Sequence, residues 1–188
     1  MLGRGATSVV YLAEKTGSGK RYAVKVSICD REKLRREAFL LQKFSYPGIP
    51  CAVELLESGT KSFLVMEAVN GKSIGQRMRK GERFSSREIL KTGIALSGIL
   101  CYLPPVFYRD LKPDNVMITE RGEIYLVDFG AAGTEETGVE VRYGTRGYAA
   151  PEQYDGKCDA RSDLYALGAL LAAMAKHAKK RQKRGLWR

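Results

Sequence analysis

The stretch "YRDLKPDNVMI", Tyr108 to Ile118, places an Asp, a Lys and an Asn within six residues. Asp110 can take a proton from a hydroxyl. Asn115, separated from it by four residues, can offer an amide oxygen to a metal ion. Other positions extend this chemistry. Asp128 ends the apolar run "EIYLVDFG", where a carboxylate needs a counter-charge, and Mg2+ supplies one. Lys25 follows the apolar residues of "YAVK"; a Lys on a rigid strand can neutralise phosphate oxygens, and Glu37 in the next helix can balance its charge. Gly3 and Gly5 of "LGRGATSVV" let the backbone approach a phosphate and point amides at it. Read singly, these are a hairpin turn, a surface ion pair and a charged loop. Read together, they describe phosphate chemistry driven by positioning and charge neutralisation.

Composition removes several other chemistries. His177 is the only histidine and sits beside a lysine run, so histidine-dependent triads are excluded. Cys29, Cys51, Cys101 and Cys158 are widely spaced, which suggests neither a zinc site nor a disulfide framework. There is no long apolar run and no basic-then-apolar leader, so neither a membrane span nor a signal peptide is expected. Net charge is +11, but the final stretch "KHAKKRQKRGLWR" holds seven Lys/Arg and no acid. The basic character is therefore largely that of a tail, expected to be solvated, with no aromatic-interleaved groove for specific nucleic-acid binding.

The elements needed to position these groups follow from the pattern. "SVVYLAEK" and "RYAVKVSI" read as strands joined by the "TGSGK" turn. "DREKLRREAFLLQKF" reads as a helix with Leu34, Ala38 and Leu41 on one face. "AVELLES" and "KSFLVMEAV" read as strands around a Gly59-Thr60 turn, and "AVNGKS" as a connector. A helix over "FSSREILKTGIALSGILCYL" opens on a capping box of Ser85 and Glu88, with Phe84 stapled to Ile89, and ends at Pro104-Pro105. "EIYLVDFG" is a buried strand. "SDLYALGALLAAMAKH" is a helix with Ser162 as its cap and Leu164, Leu167, Leu171 and Met174 at helical spacing. A β-rich part precedes a helical part, and the cleft between two such lobes suits a ligand.

In chain order, "GRGATSVV", "YAVK", Glu37 in "RREAFLL", "LVMEAV", "YRDLKPDN", "DFG", "GTRGYAAPE" and "SDLYALG" resemble the eukaryotic-like serine/threonine protein kinase family over nearly the whole chain. "APEQY" and "PPVFYRDLKPDNVM" are similar to its bacterial members. The resemblance implies an α+β fold, with a small β-rich N-lobe carrying one helix and a mostly helical C-lobe. It implies ATP and Mg2+ as cofactors. Gly3, Gly5 and Ser8, which stands at the third glycine position, would cover the phosphates of ATP. Lys25 would hold the α- and β-phosphates and pair with Glu37. Leu2, Val10, Ala23 and Met117 would enclose the adenine. Met66 would lie at the back of that pocket, with Glu67 and Val69 bonding the base. Asp110 would be the catalytic base, Lys112 would steady the transferring phosphate, and Asn115 and Asp128 would hold Mg2+. Thr145 would shape the substrate site, and Asp163 would brace the catalytic loop.

The same resemblance implies protein substrates with Ser or Thr, Lys112 favouring these over Tyr. It also makes Thr134 and Thr137 candidate autophosphorylation sites answering to Arg109, beside Glu135 and Glu136. The expected division is residues 1–70 as N-lobe with a clipped first strand, 71–175 as an incomplete C-lobe, and 176–188 as the basic tail, in a cytoplasmic protein. Tyr108 stands where the family has His. Glu152 is expected to lack its buried partner, and the face of the last long helix its cover. A catalytically silent ATP-binding or scaffolding module is the alternative. A small-molecule kinase shares the Asp-to-Asn spacing, but "GTRGYAAPEQY" fits a peptide platform instead.

Overall fold

Alternating apolar residues in "SVVYLAE" and "RYAVKVS" give two antiparallel strands, because side chains two apart share a face of the pleat. The computed structural model describes residues 1–5, 8–27, 30–134 and 144–178. Within them, β1 (Gly3–Arg4), β2 (Ser8–Glu14), β3 (Arg21–Ser27), β4 (Ala52–Ser58) and β5 (Lys61–Glu67) form one antiparallel sheet in the order β1-β2-β3-β5-β4. The helix α1 (Arg31–Lys43) packs on it through Leu34, Glu37, Ala38 and Leu41. These positions recur at the helical period, so one stripe is buried. Asp30 caps α1 by accepting from the Lys33 amide.

The connector is more structured than its sequence suggests. Gly71–Ser73 form β6, which pairs with β7 (Val116–Thr119), itself paired with β8 (Ile124–Leu126). Ser73 then caps a short helix, α2 (Ile74–Arg79), in a capping box with Gln76. The next capping box falls where the sequence places it. Ser85 accepts from the Glu88 amide and Glu88 returns to the Ser85 amide, opening α3 (Ser86–Tyr102). The aliphatic face of α3, with Thr92, Leu96 and Ile99, meets α4 (Ala160–Lys176). Phe84 is fully buried, and its amide donates to the His177 carbonyl at 3.0 Å, joining the start of α3 to the end of α4. The fold is α+β, and one continuous apolar core runs from Ala23 and Leu64 to Leu170 and Met174.

Three expectations need correction. Asp159, not Ser162, caps α4, its Oδ1 accepting from the Arg161 amide at 2.7 Å; Ser162 is its N3 partner and accepts from the Asp159 amide at 3.4 Å. Leu164 is 55% exposed, because the buried stripe of α4 runs through Asp163, Ala166, Leu167, Leu170 and Met174. The strand before "DFG" stops at Leu126, so Asp128 lies beyond it, in an irregular turn. Glu152 Oε1 accepts from Ser162 Oγ at 2.9 Å, a hydroxyl in place of the guanidinium the family pattern implies. Thr137, Cys29 and the tail beyond residue 178 lie outside the described residues. No helix among the described residues is long and apolar enough to cross a membrane.

Candidate active site

Lys25 stands on the buried face of β3 between Ala23 and Ser27, and only 7% of it is exposed. An ammonium so placed needs carboxylates, and it has two. Its Nζ lies 2.6 Å from Glu37 Oε2 on α1 and 2.6 Å from Asp128 Oδ1. Burial acts to lower the Lys25 pKa, but the charges of Glu37 and Asp128 outweigh it and raise it, keeping the ammonium protonated. Burial raises the Glu37 pKa more than Lys25 lowers it. Glu37 is 1% exposed, and its Oε1 has no hydrogen-bond partner among the described residues. The Asp128 side chain is 49% exposed. Although its burial acts to raise its pKa, the charge and hydrogen bond of Lys25 lower it, and for so open a carboxylate the ammonium decides.

Asp128 has φ 65, a left-handed backbone that costs a non-glycine residue free energy and turns its carboxylate toward Lys25. Gly130 follows it. A Cβ there would sit 3.2 Å from Asp128 Oδ1 and 3.3 Å from both Glu37 Oε2 and Lys25 Nζ, so a glycine leaves room for the triad. Its amide reaches Asp128 Oδ1 at 3.4 Å.

The loop carrying Asp110 is braced from α4. Asp163 Oδ2 accepts from the Tyr108 amide and Oδ1 from the Arg109 amide, both at 2.7 Å, which holds Arg109 at φ 69. Gln153 fixes the other side: its Nε2 donates to the Arg109 carbonyl and its Oε1 accepts from the Ala150 amide, each at 2.9 Å. The Asp110 carboxylate thus receives three donors in a fixed frame. Thr145 Oγ1 donates to Oδ1 at 2.9 Å; Lys112 Nζ and Asn115 Nδ2 reach Oδ2 at 2.7 and 3.2 Å. Lys112 also donates to Thr145 Oγ1 at 3.2 Å, and Asn115 to the Asp110 carbonyl at 2.9 Å. A proton acceptor, a cation and an amide side chain share one small volume, as their spacing in "RDLKPDN" predicts.

The sequence matches the family described as the protein kinase domain over residues 1–184. The chain belongs to the protein kinase domain family. Its relatives include a "Probable serine/threonine-protein kinase" of Streptomyces coelicolor, 32% identical over 91% of this chain and 28% of the relative. A serine/threonine-protein kinase of Myxococcus xanthus is 36% identical over 90% of this chain and 23% of its own length. A CBL-interacting protein kinase of Oryza sativa is 30% identical over 91% of this chain and 37% of its own. The chain therefore spans between 23% and 37% of these relatives.

In this kinase domain the residues expected around a nucleotide fall along the first sheet and its exit. Gly3 pairs with Val10, the Leu2 amide donates to the Val10 carbonyl at 2.8 Å, and the Gly5 amide donates to the Ser8 carbonyl at 2.8 Å. Val10 stands opposite Lys25, and Ala23 opposite Met66. Glu67 closes β5, Val69 follows in the exit to β6, and Met117 lies on β7. Tyr125 on β8 comes within 3.4 Å of Glu67 Oε1, which brings the small second sheet to the end of the first. Leu2 is 50% exposed.

Some site features were not legible in advance. Gln153 is 3% exposed and anchors the backbone beside Asp110, yet its sequence context gave no sign beyond its place after "APE". Tyr108 is fully buried against Phe129 in an edge-on contact, and its hydroxyl donates to the Val127 carbonyl. It therefore ties the Asp110 loop to the turn bearing Asp128, a polar task beyond packing. Arg79 pairs with Asp114 at 2.8 Å, beside Asn115.

Proposed function

We propose that this kinase domain transfers the γ-phosphoryl group of ATP to Ser or Thr hydroxyls of proteins. The observation that carries the reading is the Asp110 carboxylate held among Lys112, Asn115 and Thr145, while Lys25 is held by Glu37 and Asp128. Asp110 orients the substrate hydroxyl and takes its proton as the oxygen bonds to the γ-phosphorus. The bond from that phosphorus to the bridging oxygen breaks, and ADP leaves. Lys112 sits where it can offset charge on the phosphoryl oxygens in flight. Lys25, permanently protonated, takes the α- and β-phosphates, and the Gly3, Gly5 and Ser8 hairpin covers them. Leu2, Val10, Ala23, Met66 and Met117 make the apolar walls for adenine; Glu67 and Val69 bond its edge.

The donors present fit Mg2+. Asp128 Oδ2 carries no hydrogen bond among the described residues, and Asn115 is its natural partner. No cluster of three or more His, Cys, Asp or Glu suited to a metal occurs among the described residues. An ion that takes one or two protein ligands, its other positions filled by water and phosphate, suits that set. When bound, Mg2+ would neutralise phosphate charge.

In this reading residues 1–70 and 71–175 act as two lobes, 176–188 as a basic tail, and the protein works in the cytoplasm. Thr134 or Thr137 is the candidate site of autophosphorylation; Arg109 Nη2 donates to the Thr134 carbonyl at 2.7 Å. The test is phosphoamino-acid analysis of a general protein substrate after incubation with labelled ATP and Mg2+. Label on Ser or Thr is expected. Label confined to Tyr, or no label on substrate or kinase, overturns the reading.

A further inference from the structure

Asp114 lies between Asp110 and Asn115 in chain order and shares the tight turn Pro113–Asn115. Its side chain is 50% exposed, so it borders the mouth of the site rather than its floor. It is also fixed in place. A Cβ on Gly75 would fall 2.4 Å from Asp114 Oδ1, so the carboxylate rests against the Gly75 face of α2. The charge of Asp114 reaches Tyr148, whose hydroxyl pKa is raised first by its own burial and then by that charge. Tyr148 belongs to the turn begun by Thr145, whose carbonyl accepts the Tyr148 amide at 2.9 Å and whose hydroxyl bonds Asp110. A peptide that brings a hydroxyl to Asp110 must therefore run past Asp114, Thr145 and Tyr148.

The charge along that path is decided by Arg79. Left alone, Asp114 would attract a basic residue of the substrate. Arg79 Nη2 occupies it at 2.8 Å from the end of α2, and the guanidinium remains 62% exposed. Next to Thr145 stands Arg146, exposed and in no ion pair among the described residues. The Asp114 charge is thus offset, and two cations, Arg79 and Arg146, face the solvent that a substrate would replace.

We propose, building on the kinase reading above, that this strip selects acceptor segments with acidic residues beside the Ser or Thr and discriminates against basic ones. Arg79 both cancels the attraction of Asp114 for basic side chains and, with Arg146, offers a site to Asp or Glu. Attraction between solvent-exposed charges is modest and salt-sensitive, so the preference is graded rather than absolute.

The experiment uses the full chain with Mg-ATP and a set of peptides bearing one central Ser or Thr, flanked at successive positions by Glu, Ala or Arg. Wild type is expected to favour the best Glu-flanked peptide over its Arg-flanked counterpart by about fivefold or more in kcat/KM, with the ratio shrinking toward one at roughly 0.5 M salt. Arg79→Ala should narrow the ratio, and Arg79→Glu should invert it. Circular dichroism and melting of each variant confirm that the exposed substitutions leave the fold in place. A wild-type preference for Arg-flanked peptides, or an Arg79→Glu ratio equal to that of wild type, overturns the proposal while the kinase reading stands. Transfer to no peptide and no protein overturns both.

Discussion

Lys25 and Asp128, 103 residues apart in the chain, meet at 2.6 Å, and the same Nζ lies 2.6 Å from Glu37. One buried ammonium therefore joins β3, α1 and the turn after β8. Removing it leaves the Glu37 carboxylate buried without a counter-charge. Lys25→Met is expected to cost about 3 kcal/mol in urea denaturation and to lower phosphoryl transfer at least 100-fold. Adding Glu37→Leu should restore most of the stability, because no orphaned charge remains, and none of the transfer. A double variant that regains activity would contradict the role assigned to Lys25.

The hydroxyl of Tyr108 offers a separable test. Tyr108→Phe keeps the ring contact with Phe129 but leaves the Val127 carbonyl without its donor. A loss of about 1–2 kcal/mol is expected, the cost of an unsatisfied buried acceptor. Transfer should fall only severalfold, since no reacting atom is touched. Unchanged stability would show that the bond carries nothing.

Asp163 holds two consecutive amides at 2.7 Å and with them the left-handed Arg109. Asp163→Asn turns one acceptor into a donor that faces an N–H. It is expected to lower kcat on the order of 100-fold through misplacement of Asp110. The affinity for Mg-ATP, measured by calorimetry, should fall much less than kcat, because Lys25 and Glu37 lie on β3 and α1, away from that loop. Equal loss of binding and turnover would point to general unfolding instead.

Acid should act on the α3 cap. Burial acts to raise the Glu88 pKa, but hydrogen bonds from Ser85 and Arg77 and the Arg77 charge bring it from 4.5 down to about 2. A carboxylate with a depressed folded pKa contributes stability above its unfolded value and loses that contribution as pH falls through the folded one. Glu88→Ala should thus melt lower than wild type near neutral pH, by about 1 kcal/mol, and the difference should narrow as pH falls from 4.5 toward 2. A difference that stays constant across that window would mean the ionised form is not what stabilises the cap.

The parts legible in sequence are those governed by local chemistry. Ser85 and Glu88 cap their helix because the side chain and the amide it bonds lie three residues apart. Asp110, Lys112 and Asn115 meet because one loop carries all three. The rest depended on partners distant in the chain. The spacing of Leu164, Leu167, Leu171 and Met174 fits a helical stripe, but Asp163 must face the Arg109 and Tyr108 amides, which turns Leu164 to solvent. Asp159 and Ser162 can each cap a helix, and the reciprocal bond between them selects the earlier start. The strand β6 is three residues long and exists only because β7 pairs with it. Gln153 is buried for two backbone groups, neither of them evident from its neighbours.

The central claim is that Asp110 drives phosphoryl transfer in this chain. The direct measurement compares wild type and Asp110→Asn at equal concentration, following label from γ-labelled ATP with Mg2+ into a protein substrate, with Mg-ATP binding read by thermal shift. Wild type should bind and transfer; Asp110→Asn should bind equally and transfer at least 1,000-fold more slowly, on the order of the loss of a proton acceptor and its positioning. Binding without transfer by wild type, or equal transfer by the two, would contradict the account.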